Sequence, residues 1–463
     1  MILVCASHIF IFLNKYLFQL KNKYHLMCAK DGGSPAVKIK VWRRIMPFVF
    51  ILFVINMLDR NSISYAALTM NSDLNVTPFE YGLIVGAFFI GFFFFEIPSN
   101  LIMGRIGAKI WISRIMISWG VVVLALALAQ SVIELEMFRF LLGVAEAGFF
   151  PGIVLYFSSW FAENDLARCY SYFIAGMPIA MAIGAPLATW IIQYWDWFGI
   201  PGWRWLFIIE GIPAIIAGIL VLLYLPGRPQ DARWLDDQEK EWLMKKLQTE
   251  KPAVNRAPWR FALRETIRMP AVLVLAAAYF LLFFVTAGIC AWLPQIVKSF
   301  GSAISIFEVG VLLAVPYVAA AGSMIVWGHH SDRTRERYLH TIVPLLVAAA
   351  VISAEALFIE GFMSVVPLGI AVIALIAAFP PFWAMAVMNI PGQFRPAGIA
   401  FISSLGALGG FFGPVTFGAA VHHSYYVDAE LGMFAMGGML VLCCVVLYTC
   451  RAHLCGCGKT GNS

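Results

Sequence analysis

Twelve apolar runs, each long enough to cross a bilayer, decide what this chain can become. They fall at 45–66, 81–103, 112–130, 134–157, 170–193 and 204–225, and after a polar interval at 270–296, 305–328, 339–360, 364–388, 394–420 and 431–451. About 20 apolar residues in a helix match the roughly 30 Å hydrocarbon core. No water is available there to satisfy the backbone, so each run must close its own hydrogen bonds as an α-helix. Composition agrees. Of 463 residues 61% are hydrophobic and 13% charged, against about 25% charged in a soluble domain. So few charges cannot cover a water-facing surface, which excludes a soluble enzyme. The sequence predicts an all-α polytopic membrane protein with two six-helix bundles.

The basic residues orient it. Of 32 Lys and Arg, 28 lie in the termini and in the loops of one side, two (Arg204 and Lys298) on the other, and two inside spans. Positive charge marks the cytoplasmic side, so both termini are expected there. The expected organisation is a cytoplasmic tail over 1–44, one bundle over 45–225, a connector over 226–269, a second bundle over 270–451 and a tail over 452–463. The connector opens with Pro226-Gly227-Arg228-Pro229 and contains an amphipathic stretch from Trp234 to Leu247. Residues 2–20 are apolar but interrupted by Asn14, Lys15 and Gln19, without a small-residue cleavage site, and read as a peripheral tail. The nine cysteines form no even framework in one aqueous loop, so disulfides are not expected. Cys455-Gly-Cys457 lacks the second pair of a metal site, and Gly458-Lys459-Thr460 lacks the rest of a phosphate loop. No metal, cofactor or nucleic acid is expected.

A charge at mid-bilayer costs about 2.5–3.5 kcal/mol. Span 1 nonetheless carries Asp59-Arg60, and span 4 carries Arg139 and Glu146. The last two are seven residues apart, two helical turns, and share one face. Convergence of these two acids and two bases would offset every charge. Protonating one acid would then free an arginine for an anion. Other acids are weaker candidates. Glu96 lies near the cytoplasmic end of span 2, where it reads as a gate or helix-end contact. Glu210 shares a helix with Arg204 and reads as structural. Glu355, Glu360 and His422-His423 read as solvated rim residues, and Asp332 with Arg333, Arg335 and Arg337 as a cytoplasmic latch or plain topology. Intramembrane His-x3-His, Gly-x-Ser-x-Gly and Asp-rich phosphate motifs are absent, which argues against an embedded enzyme. The two halves echo each other after spans 2 and 8, at Gly104-Arg-Ile-Gly-Ala-Lys109 and Gly328-His-His-Ser-Asp-Arg-Thr-Arg-Glu-Arg337. Parallel six-helix repeats are the architecture of a large transporter class.

Several stretches in this order carry a specific resemblance. They are Leu58-Asp59-Arg60, Glu96-Ile-Pro-Ser-Asn100, Gly107-Ala-Lys-Ile-Trp111 and Arg139-Phe-Leu-Leu-Gly-Val-Ala-Glu146-Ala-Gly-Phe-Phe-Pro-Gly152. Further on come Gly202-Trp-Arg-Trp-Leu-Phe-Ile-Ile-Glu210-Gly, Trp292-Leu-Pro-Gln-Ile296, Ser331-Asp-Arg-Thr-Arg-Glu-Arg337 and Gly409-Gly-Phe-Phe-Gly-Pro414. From about Val41 to Tyr448 the chain resembles the anion:cation symporters of the major facilitator superfamily. The resemblance implies a monomer in the lipid bilayer of the plasma membrane that imports a small organic anion with protons by alternating access. It implies that Asp59 and Glu146 carry the proton, and that Arg60 and Arg139 serve the substrate carboxylate or the switch, with Trp292, Ser403 and Ser404 at the substrate. Glu96, Arg105, Lys109, Asp332, Arg333 and Arg337 are the implied gating set.

Departures from that pattern fall at Met57, Ser62, Ala287, Ser403 and Ala407, each shortening or removing a polar group. A pocket poorer in hydrogen-bonding side chains discriminates weakly among polyhydroxylated acids. The expected substrate is therefore a carboxylate with an apolar or aromatic body.

Overall fold

The computed structural model describes residues 35–250, 259–301, 303–358, 361–391, 394–421 and 429–451. Twelve helices are long and apolar enough to span: 1, Ala36–Asp73; 2, Pro78–Ile106; 3, Ala108–Leu126; 4, Val132–Trp160; 5, Arg168–Tyr194; 6, Gly202–Tyr224. The rest are 7, Pro270–Ser299; 8, Ile306–Thr334; 9, Tyr338–Leu357; 10, Val365–Asn389; 11, Ala397–Ala420; 12, Glu430–Thr449. No strand occurs among the described residues. Large apolar side chains stay exposed on outward faces, Leu223, Ile133 and Val326 among them. In water such surface would be a liability; against lipid tails it costs nothing. The molecule is a multi-pass membrane protein.

Local chemistry starts the helices. Span 2 opens on a capping box in which Thr77 N donates to Glu80 Oε2 at 2.8 Å and Glu80 N to Thr77 Oγ1 at 3.4 Å. Span 8 opens the same way, Ser305 N to Glu308 Oε2 at 2.7 Å and Glu308 N to Ser305 Oγ at 3.2 Å. Each box satisfies two backbone groups that a helix start leaves unpaired. Spans 2 and 8 are both second in their set of six, so the echo seen at their ends extends to their beginnings.

Two spans are not continuous. Span 4 divides into Val132–Glu146 and Phe149–Trp160, around Ala147 and a Gly148 with φ 90°. Span 5 has a break at Ala175, between Glu163–Ile174 and Gly176–Tyr194. Span 1 begins at Pro35, ten residues before the apolar run that announced it. Val37, Val41 and Ile45 continue its buried face at helical spacing, and Lys38 pairs with Asp165 at 3.1 Å. The connector forms helices at Asp237–Glu250 and Trp259–Ile267. The first bears Leu243 and Leu247 on its buried side and is tied to span 1 by Lys40–Glu239 at 2.6 Å. Residues 1–34, Glu360, His422-His423 and the Cys455–Thr460 segment lie outside the described residues.

Among the first six spans, 1 packs on 5, 3 on 6 and 2 on 4; among the last six, 7 packs on 11, 9 on 10 and 12, and 8 on 10. Between the sets span 2 lies along 11, 5 along 8, and 1 along 7. We call the end that carries Pro35, the connector and Arg451 the tail end, and its opposite the far end. The far end is tightly joined. Asn71 Nδ2 donates to Gln295 Oε1 at 3.1 Å, Tyr81 Oη to the Ala291 carbonyl at 2.8 Å, and Phe307 N to Gln193 Oε1 at 2.7 Å. Small residues let backbones touch there. A Cβ on Gly82 would stand 2.7 Å from the Pro414 carbonyl oxygen, and one on Gly310 would run into Thr189 and the Ala185 carbonyl.

Candidate functional site

The charged cluster is built by the break in span 4. Glu146 is the last residue of the first helical piece, where the chain turns out of helix at Ala147. Its Oε1 accepts from Asn56 Nδ2, from Arg60 Nη2 at 2.6 Å and from Arg60 Nε at 3.1 Å. Asn56 and Arg60 are four apart on span 1 and so reach the same point. Three N–H groups from two residues converge on this one oxygen. Arg60 keeps 26% of its side chain exposed, whereas Glu146 keeps 3%.

Phe88 of span 2 holds both guanidinium groups, Arg60 at 5.1 Å and Arg139 at 5.0 Å from its centroid, and Phe92 adds a second ring 5.4 Å from Arg60. Such cation–π contacts contribute about 0.5–2 kcal/mol each, more when dry. They do not neutralise the charge. Arg139 is buried at 2% exposure, its Nε has no hydrogen-bond partner, and among the described residues no carboxylate lies within ion-pair distance of it. The close approach is possible because Gly91 and Gly143 seat spans 2 and 4 on one another, a Cβ on Gly143 meeting Phe88 and Phe92 backbone.

Asp59 points elsewhere. Its Oδ2 accepts from Trp119 Nε1 of span 3, while Oδ1, equally buried, finds no partner. The four sequence-predicted charges therefore form one ion pair, Arg60–Glu146, with Arg139 beside it and Asp59 turned to a different helix. Glu210, expected to answer Arg204 in its own helix, instead contacts Ser62 Oγ. Arg204 donates to the Ala127 carbonyl at 2.6 Å.

Opposite Arg60 stands a wall of rings that sequence reasoning missed. Tyr279 packs against Trp383 at 4.9 Å, Phe382 at 5.3 Å and Phe283 at 5.7 Å, and Phe283 reaches Phe89 of span 2 at 5.6 Å. The Arg60 charge acts on both Tyr279 and Glu96. Glu96 is buried in the tail-end half of span 2 and accepts from Ser404 Oγ at 2.9 Å and Ser403 Oγ at 3.4 Å across the two sets of spans. Trp292 is fully buried near the far end, edge-on to Tyr81 at 4.8 Å and donating to the Pro414 carbonyl at 3.2 Å. Asp332, in the last turn of span 8, pairs with Arg337 of the following loop at 2.6 Å, and Arg105, Lys109 and Arg333 make no ion pair among the described residues. The gating set is thus dispersed in this state. Glu355, read as a solvated rim residue, is buried at 5% exposure.

Residues 49–414 match the model of the Major Facilitator Superfamily. The chain belongs to that superfamily. It is a membrane transporter and not an enzyme. This Major Facilitator chain is 42% identical to a protein of Agrobacterium vitis named a putative tartrate transporter, over 82% of this chain and 84% of the relative. A second so named from that organism is 39% identical over 88% and 93%. Among solved structures, a bacterial homolog to the human lysosomal transporter Spinster, inward-facing and unoccupied, superposes with a TM-score of 0.75 over 91% of this chain and 98% of that one, at 17% identity. That likeness establishes the Major Facilitator fold.

Proposed function

We propose that this transporter imports a small organic carboxylate together with protons, by alternating access across the inner or plasma membrane, as a monomer with both termini cytoplasmic. The observation that carries the reading is Arg139, a buried guanidinium without a carboxylate, 5.0 Å from the Phe88 ring that also holds Arg60. A planar fork left open in low dielectric is a receptor for a carboxylate. Glu146 holds Arg60 while ionised. Protonation of Glu146 cancels the ion pair and turns the second fork toward the same anion, which links proton and substrate in one event. Asp59 is the second proton carrier, Trp292, Ser403 and Ser404 belong to the substrate path, and Glu96 with Arg105, Lys109, Asp332, Arg333 and Arg337 serves gating.

The aromatic walls at Phe88–Phe92 and Tyr279–Trp383 support a substrate with an apolar or aromatic body. The two relatives named putative tartrate transporters support a second reading, an uncoupled facilitator or exchanger of sugar acids or dicarboxylates on the same fold. Uptake into proteoliposomes, with and without an imposed proton gradient, over sugar acids, dicarboxylates and aromatic acids tests both. The first reading expects gradient-stimulated uptake with the highest kcat/KM for an aromatic or apolar carboxylate. A sugar acid or tartrate in that place moves the substrate to the second reading, and indifference to the gradient removes the coupling. Glu146→Gln is expected to abolish uphill accumulation while retaining part of the substrate exchange; undiminished accumulation would reject Glu146 as a carrier.

A further inference from the structure

A second acidic centre lies behind span 1, away from the paired arginine. Asp59 and Ser62 are three apart and share a face of span 1. Glu210 of span 6 comes up to that face at Ser62, one helical turn from Asp59. Asp59 is 5% exposed and its Oδ1 is buried without a hydrogen-bond partner. A lone-pair oxygen in that condition is costly unless something occupies it, and the smallest occupant is a proton. Glu210, Ser62, Asn61, Met57, Leu58 and Tyr65 line a small cavity on the same side of the span.

The hydroxyl of Ser62 offers a proton on Glu210 a partner. Its Oγ lies within hydrogen-bond distance of two acceptors, the Leu58 carbonyl at 2.8 Å and Glu210 Oε2. A hydroxyl donates one proton. It can serve the Glu210 carboxylate or the Leu58 carbonyl, and when it serves Leu58 a protonated Glu210 can donate to Ser62 in its place. The charge count leaves room for such a proton. Asp59, Glu96, Glu146 and Glu210 are four acids against Arg60 and Arg139, which leaves two negative charges in excess if all ionise. Glu146 is the member that three N–H groups and the Arg60 charge already hold.

We infer that Glu210 is a third coupling acid, which stores a proton against Ser62 while Glu146 is paired with Arg60 and exchanges it with Asp59. This rests on the coupled-transport reading above. In the exchange the Glu210 O–H bond breaks, the proton bonds to Asp59 Oδ1, and the single negative charge of the pair passes from Asp59 to Glu210. The groups that face the centre are few. Span 1 contributes Asp59 and Tyr65, span 3 the Trp119 donor, span 4 Glu146, and span 6 Glu210 itself. Span 5 presents only Ala180, Met181, Gly184 and Ala188 to the cavity. Beyond Tyr65, Tyr317 of span 8 and Cys290 of span 7 continue the polar line toward the far end.

The test uses the full chain in proteoliposomes. Glu210→Gln copies the shape of the protonated acid but cannot release a proton. It is expected to lose uphill accumulation while exchanging substrate, with Glu210→Asp restoring accumulation in part. Infrared difference spectra of wild type against Glu210→Gln are expected to lose a protonated-carboxyl carbonyl band. Ser62→Ala should shift that band and leave the fold intact. Uphill accumulation by Glu210→Gln equal to wild type, or no change in the carboxyl band, overturns the inference while coupling stands. A wild-type chain that ignores the gradient overturns the coupling reading, and the third acid with it.

Discussion

At the scale of single residues, two arginines of the same chemistry are in opposite situations. Arg60 is held by Glu146 and keeps about a quarter of its side chain exposed; Arg139 is buried against a ring with no carboxylate in ion-pair contact. Lysine at 139 would keep the charge and lose the fork that takes two carboxylate oxygens at once. Losing one charge-assisted hydrogen bond costs about 1.5–3 kcal/mol. Arg139→Lys should therefore raise the KM for a carboxylate by about ten- to a hundredfold, read from uptake at graded substrate concentrations. An unchanged KM would place the anion elsewhere. The same residues mark how much of the site could be read from the chain alone. A buried charge announces itself by type and position, because a bilayer exacts its cost residue by residue, so Asp59, Arg60, Arg139 and Glu146 stood out. Partners do not announce themselves. That Asp59 meets Trp119 and Glu210 meets Ser62 depends on how far each helix is rotated about its axis, and spacing within one helix says nothing of that. Tyr279 and Phe283 were missed for a related reason: aromatic rings four apart in an apolar span look the same whether they face lipid or cargo.

At the scale of elements, the decisive piece is the interruption in span 4. The twelve apolar runs foretold helices, since lipid tolerates nothing else, but not that Glu146 would close one helix and Phe149 open another. Gly148 makes the turn at φ 90°, and a Cβ there would strike the Ser99 side chain. Holding any other L-residue in this region costs about 1–2 kcal/mol, before the collision is counted. Gly148→Ala should lower the Tm in detergent and disturb the Arg60–Glu146 pair at the preceding turn. Thermal unfolding followed by tryptophan fluorescence checks the first, and a Tm equal to wild type would show that the break is not needed. The early start of span 1 is an element-scale finding too. Its first ten residues looked like tail because four of them are basic, yet they pair with Asp165 in the helical piece leading into span 5 and with the connector.

At the scale of the whole molecule, the two sets of spans are joined at the far end and again, nearer the tail end, where Ser404 meets Glu96. Alternating access requires those contacts to part. Gly310 is a pressure point, because a side chain there would push on Thr189 and the Ala185 backbone. Gly310→Val should shift the population toward a state open at the far end. A single cysteine at Gln193, in a background without native cysteines, would then react faster with an impermeant thiol reagent added from that side. Equal reactivity would mean that spans 5 and 8 do not form the seal.

That seal has a consequence for how such a protein can change over generations. Glycines resting on neighbouring backbone close the far end, as at Gly82 on Pro414 and Gly418 on Pro78. The rings and forks facing the interior sit on other positions of the same helices. On the function proposed above, drift can rewrite the cargo at Phe88, Tyr279 or Ser404 without touching the door. A mutational scan scored for growth on different acids should show two maps: a door intolerant of any side chain, and an interior whose tolerated residues differ with the acid supplied.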